Sequence, residues 1–137
     1  MKKPKKHFQL AAPTYFEPSD WDLLMKVNKW RSFEEFLEQM TGITLTMEDY
    51  VSEIEKISPA SCVNEYTPPT LMGYGLIDHC VPLNQKFYLM DAFDEYGITY
   101  EYIEFPKSNH GMYNDLDQLQ IFIDKSLEYC EYYLKNE

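Results

Sequence analysis

From Thr70 to Leu134 the chain alternates apolar segments of two different periods, and this alternation most constrains its fold. Thr70 to Gly75, behind Pro68-Pro69, reads as a short buried strand. Asn84 to Tyr96 reads as a helix that Gly97 closes, and Ile98 to Phe105 as a Tyr- and Ile-rich strand that Pro106 ends. Leu116, Leu119, Ile123, Leu127, Cys130 and Leu134 then advance by three or four residues, the stripe of an amphipathic helix laid on a sheet. A strand, helix, strand, helix order implies a parallel sheet and an α/β fold class, parallel strands with flanking helices.

The first sixty residues are organised differently. His7 to Ala12 is a short, mostly apolar run stopped by Pro13, consistent with a buried strand. From Pro18 to Pro59 the pattern is helical. Asp20 to Trp30 is one expected helix; Ser32 with Glu35 makes a capping box ahead of Phe33, Phe36, Leu37 and Met40, with Gly42 as the stop. Thr46 with Asp49 repeats the device before Tyr50, Val51, Ile54 and Ile57, and Ser58-Pro59 ends that helix. No internal repeat or low-complexity segment interrupts the chain, and its 137 residues fit a single domain: a helical insert over 18–59 and a core over 60–137.

Composition narrows the function classes. A content of 45% hydrophobic and 16% aromatic residues is that of a globular chain. A net charge of -11 repels phosphate backbones and anionic lipid, so neither nucleic acid nor membrane is an expected partner. The basic run Met1 to Lys6 precedes an apolar stretch too short for a signal peptide, and no segment reaches membrane-spanning length. Cys62, Cys80 and Cys130 form an odd set without CxxC spacing, which points to reduced thiols and a cytoplasmic location rather than a disulfide framework or zinc site.

Two loops carry the chemistry: Gly75-Leu76-Ile77-Asp78-His79-Cys80-Val81-Pro82 after the second strand, and Lys107-Ser108-Asn109-His110-Gly111 after the third. Both fall at the C-terminal ends of strands, where open α/β sheets place their sites. An Asp that orients and charge-stabilises a His is the acid and base portion of a nucleophilic triad. The segment TPPTLMGYGLIDHCVPLNQKFYLMDAFDEYGITYEYIEFPKSNHGM resembles the closing part of esterase/lipase α/β-hydrolases, with a Pro-Pro lead-in, a strand, G-x-x-D-x-x-V-P, a helix, a strand and H-G in that order. The resemblance implies that Asp78 is the triad acid and His110 the general base. It extends more weakly to Ser58-Pro59-Ala60 and to His7 through Trp21, implying a partial α/β-hydrolase fold, the C-terminal half, with 18–59 as a cap-like insert. Serine peptidases of the prolyl-oligopeptidase type end in a similar arrangement and stand as a related reading.

The departure from that family is equally specific. Gly42, Gly73, Gly75, Gly97 and Gly111 never bracket a serine, so no G-x-S-x-G nucleophile turn is present, and no H-G-G-G-like oxyanion loop either. These residues alone are not expected to hydrolyse esters. No cofactor and no metal are implied: the adjacent Asp78, His79 and Cys80 cannot all converge on one ion, and no distant ligand spacing joins them. Ser61 and Cys62 read as loop residues, and His7 as a strand-end residue. Trp21, Trp30, Phe33 and Phe36 either line an acyl pocket or pack ordinarily, while Tyr129, Tyr132 and Tyr133 are expected over the sheet. The expected partner is a second copy or a complementing N-terminal half, paired through the first strand's open edge or the uncovered sheet face. The alternative is a non-catalytic interaction module, or a truncated remnant that pairs with another chain.

Overall fold

The computed structural model describes residues 7–28, 32, 34, 35, 38, 39, 42, 44 and 46–134. The elements run β1 (His7–Leu10), α1 (Pro18–Asn28), α2 (Met47–Ile57), a 3-10 turn (Pro59–Cys62), β2 (Thr70–Gly75), α3 (Gln85–Tyr96), β3 (Tyr100–Phe105) and α4 (Leu116–Leu134). The strands form one parallel sheet in the order β1-β2-β3, with Leu10 opposite Gly73 and Gly75 opposite Phe105. Expected boundaries hold within about two residues, the ordinary uncertainty of helix and strand ends. Their chemistry is visible: Thr46 accepts the Asp49 N–H at 3.1 Å to start α2, and Gly97, at φ 64, closes α3 in the left-handed region open to glycine.

β2 is buried along its whole length, and each face of the sheet carries its own core. On one face Trp21, Tyr50 and Ile54 of α1 and α2 meet Met72 and Tyr74 of β2 and Leu89 and Phe93 of α3. On the other, Phe122 of α4 lies against Leu71, Ile103, Phe105 and Met112. Trp21 is fully buried, its ring stacked 6.0 Å from Phe16. It therefore packs the core instead of lining an acyl pocket, while Trp30, Phe33 and Phe36 lie outside the described residues. The Ser32–Glu35 cap is formed, the Glu35 N–H donating to Ser32 Oγ at 3.2 Å, and Gly42, at φ 71, donates its N–H to the Glu38 carbonyl.

Three expectations are corrected. His7 to Ala12 is not a buried strand. β1 ends at Leu10 because Ala11 turns to φ 49, and His7, Phe8 and Leu10 are exposed, leaving only Gln9 buried. Among the described residues nothing pairs with its outer edge. The stripe of α4 is also rotated. Leu116, Ile123 and Leu127 of the expected stripe are exposed, whereas its Leu119 does face the sheet, joined there by Phe122 and Tyr129. That shift is about 100°, one residue step on a helix, and Phe122 packing on Phe105 fixes it. Tyr129 covers the sheet as expected, stacked on Phe8, whereas Tyr132 is exposed. Among the described residues no helix is long and apolar enough to cross a membrane.

Candidate functional site

The end of β2 and the end of β3 are held together by backbone. Leu76 N–H donates to the Phe105 carbonyl at 3.0 Å and Ile77 N–H to the Ser108 carbonyl at 3.2 Å, extending the parallel ladder past both strands. Gly75 makes this approach possible: a Cβ there would sit 2.4 Å from the Ser108 carbonyl oxygen and 2.5 Å from that of Asn109. The loop after β3 is fastened from its far side by Asp115, just ahead of α4. Its buried carboxylate accepts from Lys107 N–H at 2.9 Å and from Ser108 Oγ at 2.6 Å, while Asn114 Nδ2 donates to the Lys107 carbonyl.

On this frame Asp78 Oδ2 and His110 Nδ1 stand 2.9 Å apart. The two residues singled out in the sequence are thus brought together. The Asp78 side chain is almost fully covered, and its other oxygen accepts the N–H groups of Cys80 at 2.7 Å and Val81 at 3.0 Å. The carboxylate has little freedom to rotate, so it presents one fixed oxygen to the imidazole. With Nδ1 committed to Asp78, Nε2 is the ring nitrogen left for proton traffic beyond the pair, and the half-exposed His110 side chain gives it access. This is the acid–base geometry that orients a tautomer and stabilises an imidazolium.

Cys80 enters the same constellation. One ligand atom each from Asp78, Cys80 and His110 lie within 4.8 Å of one another, whereas His79, the residue between, is not in the set. The adjacent Asp78, His79 and Cys80 do not converge on one point; His110, from the neighbouring loop, is the distant member that joins Asp78 and Cys80. Desolvation of the sulfur and the neighbouring Asp78 carboxylate both hold the Cys80 thiol above its ordinary range. Ser61 and Cys62 sit in the 3-10 turn. Cys62 lines a cavity of about 170 Å³ with His7, Thr70 and Phe93, at the N-terminal ends of the strands and so away from the Asp78–His110 pair. Gly75 and Asp115 were missed as positioning residues. Gly75 had a signal in its place at a strand's end, and Asp115 in its place one residue before a helix.

A comparison with curated protein sequences gives no match. Among solved structures, a truncated form of carbohydrate esterase from gut microbiota is 27% identical over 57% of this chain and 27% of its own, with a TM-score of 0.47. An acetyl ester-xyloside bifunctional hydrolase from Caldicellulosiruptor lactoaceticus is 18% identical over 98% of this chain and 43% of its own, with a TM-score of 0.58. The chain spans less than half the length of either, and the second likeness shows the fold, part of an α/β-hydrolase. Residues 3–137 match the model of the prolyl oligopeptidase family, the group that stood beside the esterase/lipase type in the sequence, and the chain belongs to that family.

Proposed function

We propose that this chain supplies the acid and base of a serine hydrolase centre acting on carboxylic esters. His110 shuttles the proton through Nε2, Asp78 fixes the Nδ1–H tautomer, and the nucleophilic serine comes from outside these 137 residues. The observation that carries this reading is the 2.9 Å contact between a covered carboxylate and a half-exposed imidazole at adjacent parallel strand ends. The acetyl ester-xyloside hydrolase that aligns with 98% of the chain supports an ester substrate, and membership of the prolyl oligopeptidase family favours a peptide bond as the second reading. Three unpaired cysteines favour the cytoplasm as the place of action. The helices between residues 18 and 59 would act as the cap.

Two measurements test this. The ring ¹⁵N shifts of His110 are expected to report the Nδ1–H tautomer, and Asp78→Ala to remove that bias; an Nε2–H tautomer in the unaltered chain overturns the dyad. Purified chain is expected to show no turnover of short acyl esters that His110→Ala abolishes. Such turnover would mean that the nucleophile lies within the 137 residues after all.

A further inference from the structure

We propose that Asp78, Cys80 and His110 form a binding site for a thiophilic divalent cation of the Zn²⁺ or Cd²⁺ class, and that the bound ion switches the acid–base pair off. The proposal extends the dyad reading, since the ion occupies the same two side chains. Three donors of three kinds, a carboxylate oxygen, a sulfur and a ring nitrogen, already lie within 4.8 Å of one another. With Zn–S near ~2.3 Å and Zn–N or Zn–O near ~2.1 Å, the donors around a tetrahedral ion stand roughly 3.4–3.7 Å apart. The Asp78–His110 edge, at 2.9 Å, has to open by about 0.5 Å, which a small turn of the half-exposed His110 ring supplies, and the sulfur, within 4.8 Å of both partners, has to close by about 1 Å, within reach of a small χ1 rotation.

The loop is built for such a set. Asp78 Oδ1 is occupied by the N–H groups of Cys80 and Val81, which fixes the carboxylate and the Cys80 backbone relative to each other and leaves Oδ2 to ligate. Cys80 and His110 are both exposed, giving the ion an entry path and leaving a fourth position to water. Sulfur with imidazole selects Zn²⁺ or Cd²⁺ over Mg²⁺ or Ca²⁺, and the chain's charge of -11 draws cations toward it. On binding, Cys80 Sγ forms a bond to the ion and releases its proton to solvent. His110 ligates through Nδ1, giving the proton of that nitrogen to solvent while Nε2 takes one up from solvent, so the ring stays neutral, and Asp78 Oδ2 exchanges its hydrogen bond for the ion. Nε2, now protonated, can no longer accept a proton.

The test is titration of the chain with CdCl₂, reading the ultraviolet thiolate-to-cadmium charge-transfer band. A Cys62→Ser, Cys130→Ser double variant is expected to keep the band and Cys80→Ser to lose it. Asp78→Asn and His110→Ala are each expected to weaken binding by at least about 10-fold. In the unaltered chain, ZnCl₂ is expected to move the His110 ring ¹⁵N shifts, a readout independent of whether the cysteine variants fold. A band that survives Cys80→Ser, or His110 shifts indifferent to ZnCl₂, overturns the proposal. The metal-free tautomer measurement tells its failure apart from failure of the dyad.

Discussion

Replacing Gly75 by alanine probes the frame on which the site rests. The added methyl would sit 2.4 Å from the Ser108 carbonyl oxygen, 2.5 Å from that of Asn109 and 3.0 Å from the Ser108 carbonyl carbon, where ordinary contact begins at 3.4 Å. The two backbones must therefore part by about 1 Å, and neither neighbour is a yielding side-chain tip. Asp115 pins the far side of the Ser108 loop, so the strain cannot relax there without breaking its bonds to Lys107 and Ser108. Overpacking of this kind costs about 1–3 kcal/mol, and in a chain of this size each kcal/mol lowers the melting midpoint by about 3–5 °C. The same opening carries the Asp78–His110 contact from 2.9 Å beyond hydrogen-bonding reach. Urea denaturation measures the first effect and the His110 ring ¹⁵N shifts the second. An unchanged urea midpoint together with an unchanged tautomer would falsify the claim that Gly75 sets the distance between the loops.

Asp115→Ala is expected to cost about 2–3 kcal/mol, because Ser108 Oγ and Lys107 N–H lose a buried charged acceptor; faster amide exchange over 107–111 than over β2 checks that the effect is local. The Tyr88 hydroxyl donates to Asp20 at 2.6 Å, and this bond, then desolvation, raise its pKa from 10.0 to about 12. The folded state thus holds that proton more tightly than the unfolded one. The contribution to stability is full below about pH 10 and is lost as pH rises through about 12, so urea midpoints should fall over that window and fall less in Tyr88→Phe. The open edge of β1, with Phe8 and Leu10 exposed, is expected to drive self-association or pairing with a complementing half at micromolar concentration. Sedimentation as a concentration-independent monomer that binds no complementing half counts against that edge as an interface.

The parts of the fold legible in the sequence are those set by local chemistry. Pro68-Pro69, Gly97 and Pro106 punctuate the β2–α3–β3 unit, and the Thr46 cap acts within one turn, so none depends on distant contacts. The face of α4 is a different kind of problem. Leu116, Ile123 and Leu127 make as good a periodic stripe as Phe122 and Tyr129, with Leu119 on the border of both, and the two differ by about a single residue step. What chooses between them is tertiary: Phe122 has Phe105 and Met112 to fill, and Asp115 is already tied to the preceding loop before the first turn begins. β1 failed for a related reason. An apolar composition marks a strand as suited to burial, but burial itself needs a neighbour on the outer edge.

The site shows the same division between local pattern and tertiary adjacency. Asp78 and His110 were legible because each sits in a short loop after a strand, and a parallel sheet carries such loops to one end. The approach of Cys80 to His110 was not, because spacing rules for ligands compare residues within one loop or helix, and within its own loop Cys80 has only Asp78 beside it, too few donors to mark a site. Neighbouring strands lie ~4.8 Å apart, about one side-chain length. Every polar residue in the loop after β2 must therefore be weighed against every polar residue in the loop after β3, whatever their separation in sequence. In this chain Asp78 and Cys80, and not His79, place their ligand atoms beside the ring nitrogen of His110. The acid, the thiol and the base share one locus because Gly75 lets the two loops touch.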